Sequence, residues 1–132
     1  MFVEEEDVDL HTLSPITLAF LGDAVFELLV REQLAKENAP AGKLHQKAVK
    51  RVCCSAQAVG YDALQEVLTE EERSVLRRGR NANSTRVPKN ANPQEYRKAT
   101  GLEALFGYLY LKKETGRILE LFALLDPEQE IG

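Results

Sequence analysis

Ser14-Pro-Ile-Thr-Leu-Ala-Phe-Leu-Gly-Asp-Ala-Val-Phe-Glu-Leu-Leu-Val-Arg31 is the stretch that decides the fold. Serine followed by proline starts helices, because the hydroxyl caps free backbone N–H groups and proline fits the first turn, where its missing N–H costs nothing. From Ile16 to Val30 apolar side chains occupy nearly the whole circumference, the pattern of a helix buried on most sides. Two carboxylates interrupt it, Asp23 and, one turn later on the same face, Glu27. An ionised carboxylate in such surroundings is costly unless it is paired, hydrogen-bonded or bound to a metal.

Residues 100–111, Thr-Gly-Leu-Glu-Ala-Leu-Phe-Gly-Tyr-Leu-Tyr-Leu, pose the same question, with Glu103 as their one charge. Two apolar helices, each with an acid near a glycine (Gly22, Gly101, Gly107), can pack closely and bring Asp23 and Glu103 together. The plainer alternative is that each acid is neutralised by an arginine or caps a neighbouring helix.

The remaining composition narrows the function classes. A chain of 132 residues with 44% hydrophobic and 29% charged residues reads as one soluble domain. No apolar run reaches the length of a membrane span, and the acidic Met1-Phe-Val-Glu-Glu-Glu-Asp7 is the opposite of a signal peptide, so a cytoplasmic location is expected. Cys53 and Cys54 are adjacent, which does not suit a structural disulfide, and with only His11 and His45 beside them no zinc constellation forms. They should be reduced and partly buried. The net charge of −4 is unevenly spread: Arg73–Lys98 holds eight basic residues and one acid, so it carries +7 and the rest −11. One concentrated basic segment in an acidic protein points to a local polyanion contact.

Residues 1–12 read as an acidic tail and residues 13–132 as a single domain. Breakers at Asn38–Gly42 end the first helix near Lys36. A second, basic amphipathic helix is expected over residues 43–57, with Leu44, Ala48, Val52 and Ala56 as its apolar stripe, and a shorter piece over 56–67. Thr69-Glu-Glu-Glu72 is a capping box, opening a helix to about Gly79 that turns Val75 and Leu76 inward and Arg73, Arg77 and Arg78 outward. The Asn-rich run from Arg80 to Ala91 reads as a loop. Asn92-Pro93-Gln-Glu95 restarts a helix through Glu103 to about Lys113, and a last helix over 116–125 shows Ile118, Leu119, Phe122 and Leu125 on one side. With no strand-period segment, the chain is all-α, about six helices around a core made by the first and fifth.

Phe20-Leu-Gly-Asp-Ala-Val-Phe-Glu27 and Gly101-Leu-Glu-Ala-Leu-Phe-Gly-Tyr-Leu-Tyr110 together resemble the two signature helices of the ribonuclease III catalytic domain. Arg78-Gly-Arg-Asn-Ala82 further resembles the Mini-ribonuclease III subfamily, the bare catalytic domain, so no double-stranded-RNA-binding domain is expected after Gly132. The resemblance covers nearly the whole chain from Leu13. It implies a homodimeric, Mg²⁺-dependent endoribonuclease, with Mn²⁺ as a substitute, that cuts double-stranded RNA to 5′-phosphate and 3′-hydroxyl ends. The implied substrate is the precursor of large-subunit (23S) ribosomal RNA, with a ribosomal protein assisting.

Residue by residue, Asp23 matches the aspartate of the first signature and Glu103 the glutamate of the second, so both are the implied catalytic and metal-binding residues. The family also carries a glutamate four positions before that aspartate and an aspartate three before that glutamate. Here those positions are Ala19 and Thr100, so a more hydrated Mg²⁺ is expected. Glu27 reads as structural or as a support behind the metal ligands. Arg77, Arg78, Arg80, Asn81, Asn83, Arg86, Lys89 and Asn90 are the implied RNA contacts, donors suited to phosphate and 2′-hydroxyl groups. Leu18, Phe20, Leu21 and Phe26 supply more apolar surface than one small core needs, in keeping with a dimer. The competing expectation is a non-catalytic RNA-binding or ribosome-assembly dimer that kept the fold.

Overall fold

The Ser14 hydroxyl accepts from the Thr17 N–H at 3.1 Å, and with Pro15 in the first turn it opens α1 (Pro15–Ala35). Five more helices follow in the computed structural model, which describes residues 9–82 and 87–125: α2 (Ala41–Val52), α3 (Cys54–Ala63), α4 (Glu70–Asn81), α5 (Pro93–Leu111) and α6 (Thr115–Leu124). Among the described residues there is no strand. A 3-10 turn at Leu10–Thr12 precedes α1, and Leu10 packs against the core, so the end of the expected tail is docked. Residues 1–8 lie outside the described residues.

The sequence signals for α1, α4 and α5 translate directly into caps. Thr69 and Glu72 form both bonds of the capping box, and Asn92 Oδ1 accepts from the N–H groups of Gln94 and Glu95. Around α5 lie α1, α3, α4 and α6. The core is Leu18, Phe26 and Val30 of α1 against Leu102, Leu105, Phe106 and Leu109 of α5, closed by Leu76 and Leu121. Phe26 meets Phe106 and Phe122 edge-on, with centroids 5.4 and 5.6 Å apart. Arg117 of α6 reaches α4, donating to both carboxylate oxygens of Glu72 at 2.9 and 2.8 Å and to the Val67 carbonyl at 2.8 Å.

Several expectations are corrected. α1 is not buried on most sides: Ile16, Phe20, Asp23, Ala24 and Leu28 are exposed, because α2, α4 and α5 cover only one side of it. The single helix expected over 43–57 is two, broken at Cys53, whose extended backbone (φ −68°, ψ 158°) ends α2 and starts α3. Arg80 and Asn81 complete the last turn of α4 and do not belong to the loop. Arg73 turns inward, donating to the Leu68 carbonyl at 2.8 Å. On α6 it is Leu121, not Leu119, that joins Ile118 and Phe122 in the core.

The α1–α5 contact is backbone against backbone. A Cβ on Gly22 would sit 1.6 Å from the Glu103 carbonyl oxygen, and one on Gly107 would sit 2.0 Å from that of Leu18. Neither neighbour is a flexible side chain that could yield. Gly22→Ala should therefore destabilise by about 3 kcal/mol or more, at the severe end of overpacking. Gly42→Ala, in the first turn of α2 with nothing within 4 Å, should be neutral or stabilise by up to about 1 kcal/mol. Urea denaturation of both variants checks the pair.

Candidate active site

The glycine contact fixes where the two acids meet. Gly22 lies on the Glu103 backbone, so Asp23, the next residue, comes beside Glu103 where α1 and α5 touch, Asp23 exposed and Glu103 half-buried. Burial, then the hydrogen bond and negative charge of Asp23, push the Glu103 carboxyl up to about 8. Neither acid forms an ion pair with a basic side chain among the described residues, where the ion-paired acids are Glu27, Glu37, Asp62, Glu71, Glu72 and Glu120. No described arginine thus explains the pair. Glu27 does have one, Arg31 at 3.2 Å.

The two positions at which the resemblance implied further carboxylates offer no donor to a site. Ala19 is buried in the core, and the Thr100 hydroxyl donates back to the Tyr96 carbonyl at 3.0 Å. What stands beside Glu103 comes from α3. This helix runs antiparallel to α5: Lys98 donates to both oxygens of Asp62 at 2.9 and 3.1 Å, and the Tyr61 ring covers Gly101. One turn earlier on α3, Gln57 is only 3% exposed, and its amide acts on the Glu103 carboxyl, lowering its pKa against the larger opposing effects. Cys54, at the start of α3, is pushed up by burial and then by the charge of Glu103. Both cysteines are free and partly buried, as expected. Reading residues 43–57 as one helix hid Gln57; the only signal for it was a lone amide among Cys, Ser and Ala.

Of the basic residues singled out in the sequence, Arg77 and Arg78 are exposed on α4, and Lys89 and Asn90 are exposed before α5. Asn83 and Arg86 lie outside the described residues. Arg80 and Asn81 line a recess of about 380 Å³ with Gln94, Arg97 and Lys98. Gln94 and Arg97 were not named with the loop, since they belong to the first turns of α5. The charge count of that segment already included Arg97. On α5, Arg97 lies less than two turns before Glu103, so the recess and the acid pair share one helix.

The sequence profile of the ribonuclease III domain matches residues 16–114, a span that contains the acid pair, Gln57 and the whole basic segment. The chain belongs to this family. A Mini-ribonuclease 3 of Thermoanaerobacter sp. is 46% identical over 86% of this chain and 80% of its own length. One of Symbiobacterium thermophilum is 47% identical over 83% and 85%, and one of Brevibacillus brevis 43% identical over 95% and 97%. A crystal structure of a Fusobacterium nucleatum protein, 29% identical, superposes with a TM-score of 0.81 and covers 89% of this chain and 94% of its own. The family fold is thus established over nearly all of the chain, and the all-α expectation holds.

A carboxyl whose pKa rises on folding keeps its proton longer in the folded chain than in the unfolded one. Stability of the metal-free protein should therefore fall as pH climbs from 4.5, the ordinary value, to about 8, and level off beyond. Glu72, held below the ordinary carboxylate value by its bond to Arg117, acts on the acid side of this window. Glu103→Gln should flatten the slope between pH 4.5 and 8, read by denaturant melts in chelator.

Proposed function

We propose that this chain is a Mg²⁺-dependent endoribonuclease that cleaves double-stranded RNA as a two-fold homodimer, with Asp23 and Glu103 as its catalytic and metal-binding residues. Endoribonuclease activity on RNA follows from membership of the family. The observation that carries the site is the acid pair: two adjacent carboxylates with no basic partner among the described residues, one of them half-buried. Such a pair is a hard-oxygen donor set with unbalanced negative charge, which suits Mg²⁺ or Mn²⁺. No group of three or more His, Cys, Asp or Glu able to hold a metal ion occurs among the described residues. Asp23 and Glu103 would thus be the protein's carboxylate ligands, and the remaining positions fall to water and RNA phosphate oxygens.

Phosphodiester hydrolysis needs an activated water and relief of charge on the phosphate, and a bound divalent cation supplies both. The chain's own residues prepare that chemistry. Asp23 faces solvent, where a duplex can approach, and Glu103 must lose the proton that burial and Asp23 favour. The recess of Arg80, Asn81, Gln94 and Arg97, with the exposed Arg77, Arg78, Lys89 and Asn90, offers donors for phosphate and 2′-hydroxyl groups of an A-form helix. Asn83 and Arg86 are assigned to the same contact from the sequence. The products are 5′-phosphate and 3′-hydroxyl ends. The substrate in the cell is the 23S ribosomal RNA precursor, presented with a large-subunit ribosomal protein, a choice supported by the subfamily resemblance.

The dimer is supported by the uncovered side of α1. Ile16 (41% exposed), Phe20 (83%) and Leu28 (56%) recur at helical spacing and make an apolar stripe. Leu18 and Phe26, expected to share in it, belong to the core instead. A two-fold pair of sites matches the local dyads of an RNA duplex. Sedimentation should find a dimer for the wild type and a monomer for Phe20→Glu; a wild-type monomer on RNA-free and RNA-bound runs alike removes the dimer from the mechanism.

A cleavage assay on long double-stranded RNA tests the reading. Fragments with 5′-phosphates should form with Mg²⁺ and vanish with excess chelator. Asp23→Asn should lower the rate at least about a hundredfold while RNA binding persists. In the same assay, Arg80→Ala with Arg97→Ala should weaken binding to all duplexes and make it less dependent on salt. Binding without cleavage by the wild type under every metal condition would leave a scaffold protein, and near-normal cutting by Asp23→Asn would remove that residue from the site.

A further inference from the structure

We propose that Gln57 is a positioning residue for Glu103: its buried side-chain amide is placed to donate to the Glu103 carboxylate as that group takes up a divalent cation, and so to orient it. The inference rests on the metal-nuclease reading above. It starts from an anomaly of burial. Gln57 is 3% exposed, and its Nε2 has neither solvent contact nor a partner at hydrogen-bond length. A buried amide donor without a bond is destabilising, and native structures avoid it unless another role retains the group.

The register of α3 against α5 says which group that donor serves. Asp62 binds Lys98, Tyr61 covers Gly101, and Gln57, one turn back along α3, faces the next turn of α5, where Glu103 is the polar side chain. Being sealed from solvent, Nε2 cannot meet RNA, so Gln57 acts through Glu103 and not on substrate.

The residue type fits that role. A lysine or arginine at position 57 would neutralise Glu103 and compete with the metal. An uncharged donor orients one carboxylate oxygen and leaves the full negative charge of the pair for the cation. Outer partners that orient metal ligands commonly matter tenfold to a hundredfold in metal affinity or rate. With Ala19 and Thr100 contributing no carboxylate, the orientation of the two acids that remain weighs more heavily than it would in a four-acid site.

The test replaces Gln57 by leucine, close in size and without the amide. Mn²⁺ affinity of RNA-free protein is measured by calorimetry in wild type, Gln57→Leu, Glu103→Gln and the double variant, beside Mg²⁺ titrations of cleavage. Gln57→Leu should lose about tenfold or more in Mn²⁺ affinity and in kcat, at unchanged KM for RNA, with kcat partly restored at high Mg²⁺. In the Glu103→Gln background the same change should cost nothing further, as required if Gln57 works through Glu103. Unchanged metal affinity in Gln57→Leu, or an equal loss with and without Glu103, overturns the proposal. If Gln57→Leu does not fold, the wild-type protein decides: the Gln57 side-chain amide protons should shift and gain protection from exchange on adding Mg²⁺, and an unmoved resonance overturns it. Wild-type protein that binds no divalent cation would instead overturn the nuclease reading itself.

Discussion

The contact on which the rest of this structure depends is the approach of the α1 and α5 backbones at Gly22 and Gly107. With no side chain on either glycine, the carbonyl of Glu103 lies where a Cβ of residue 22 would be, and the carbonyl of Leu18 where one of residue 107 would be. At such a distance the residues next to the glycines have no freedom to avoid each other. Asp23 and Glu103 are thus forced into one place, although neither gains a basic partner among the described residues. The core reinforces the contact, since Phe26 of α1 is wedged edge-on between Phe106 of α5 and Phe122 of α6.

Around this contact the molecule divides its charge. Where an acid serves the fold it is given a cation: Glu72 accepts from Nε and Nη2 of Arg117, and Asp62 takes Lys98. Where no described cation pairs with the acids, Asp23 and Glu103 lie together at the α1–α5 contact, and Glu103 responds by holding its proton to about pH 8. That contrast separates the candidate site from the structural ion pairs, because desolvation and like charge both act on Glu103 in the direction an added cation would reverse. The cationic counterpart lies elsewhere, on the end of α4 and the start of α5, so phosphate attraction and metal attraction do not cancel each other.

The break at Cys53 has more consequence than its single residue implies. Had α2 continued to Gln57, its stripe of Leu44, Ala48, Val52 and Ala56 would have stayed in phase, and no amide would have turned toward α5. By ending α2 and starting α3 in a new direction, Cys53 lays Gln57, Tyr61 and Asp62 along α5. The helix start then delivers a neutral donor and a thiol beside the acids, of which the thiol is kept protonated by burial and by Glu103.

The sequence by itself determined what local chemistry encodes. Ser14-Pro15, Thr69 with Glu72, and Asn92-Pro93 set the starts of α1, α4 and α5, because a cap bond involves residues two or three positions apart. The two glycine-bearing apolar helices and their acids were equally legible, and so were the family and the segment that gathers positive charge. Tertiary structure alone decided which side of α1 is covered. Periodicity that is apolar all round names no face, and Phe20 and Asp23 lie outward only because the neighbouring helices occupy the other side. It also decided that Arg73 turns to the Leu68 carbonyl, that Arg97 and Gln94 join Arg80 in one recess, and that Gln57 meets Glu103. Each of these pairings joins separate segments, and the distance between two segments is set by packing, which no local pattern of residues records.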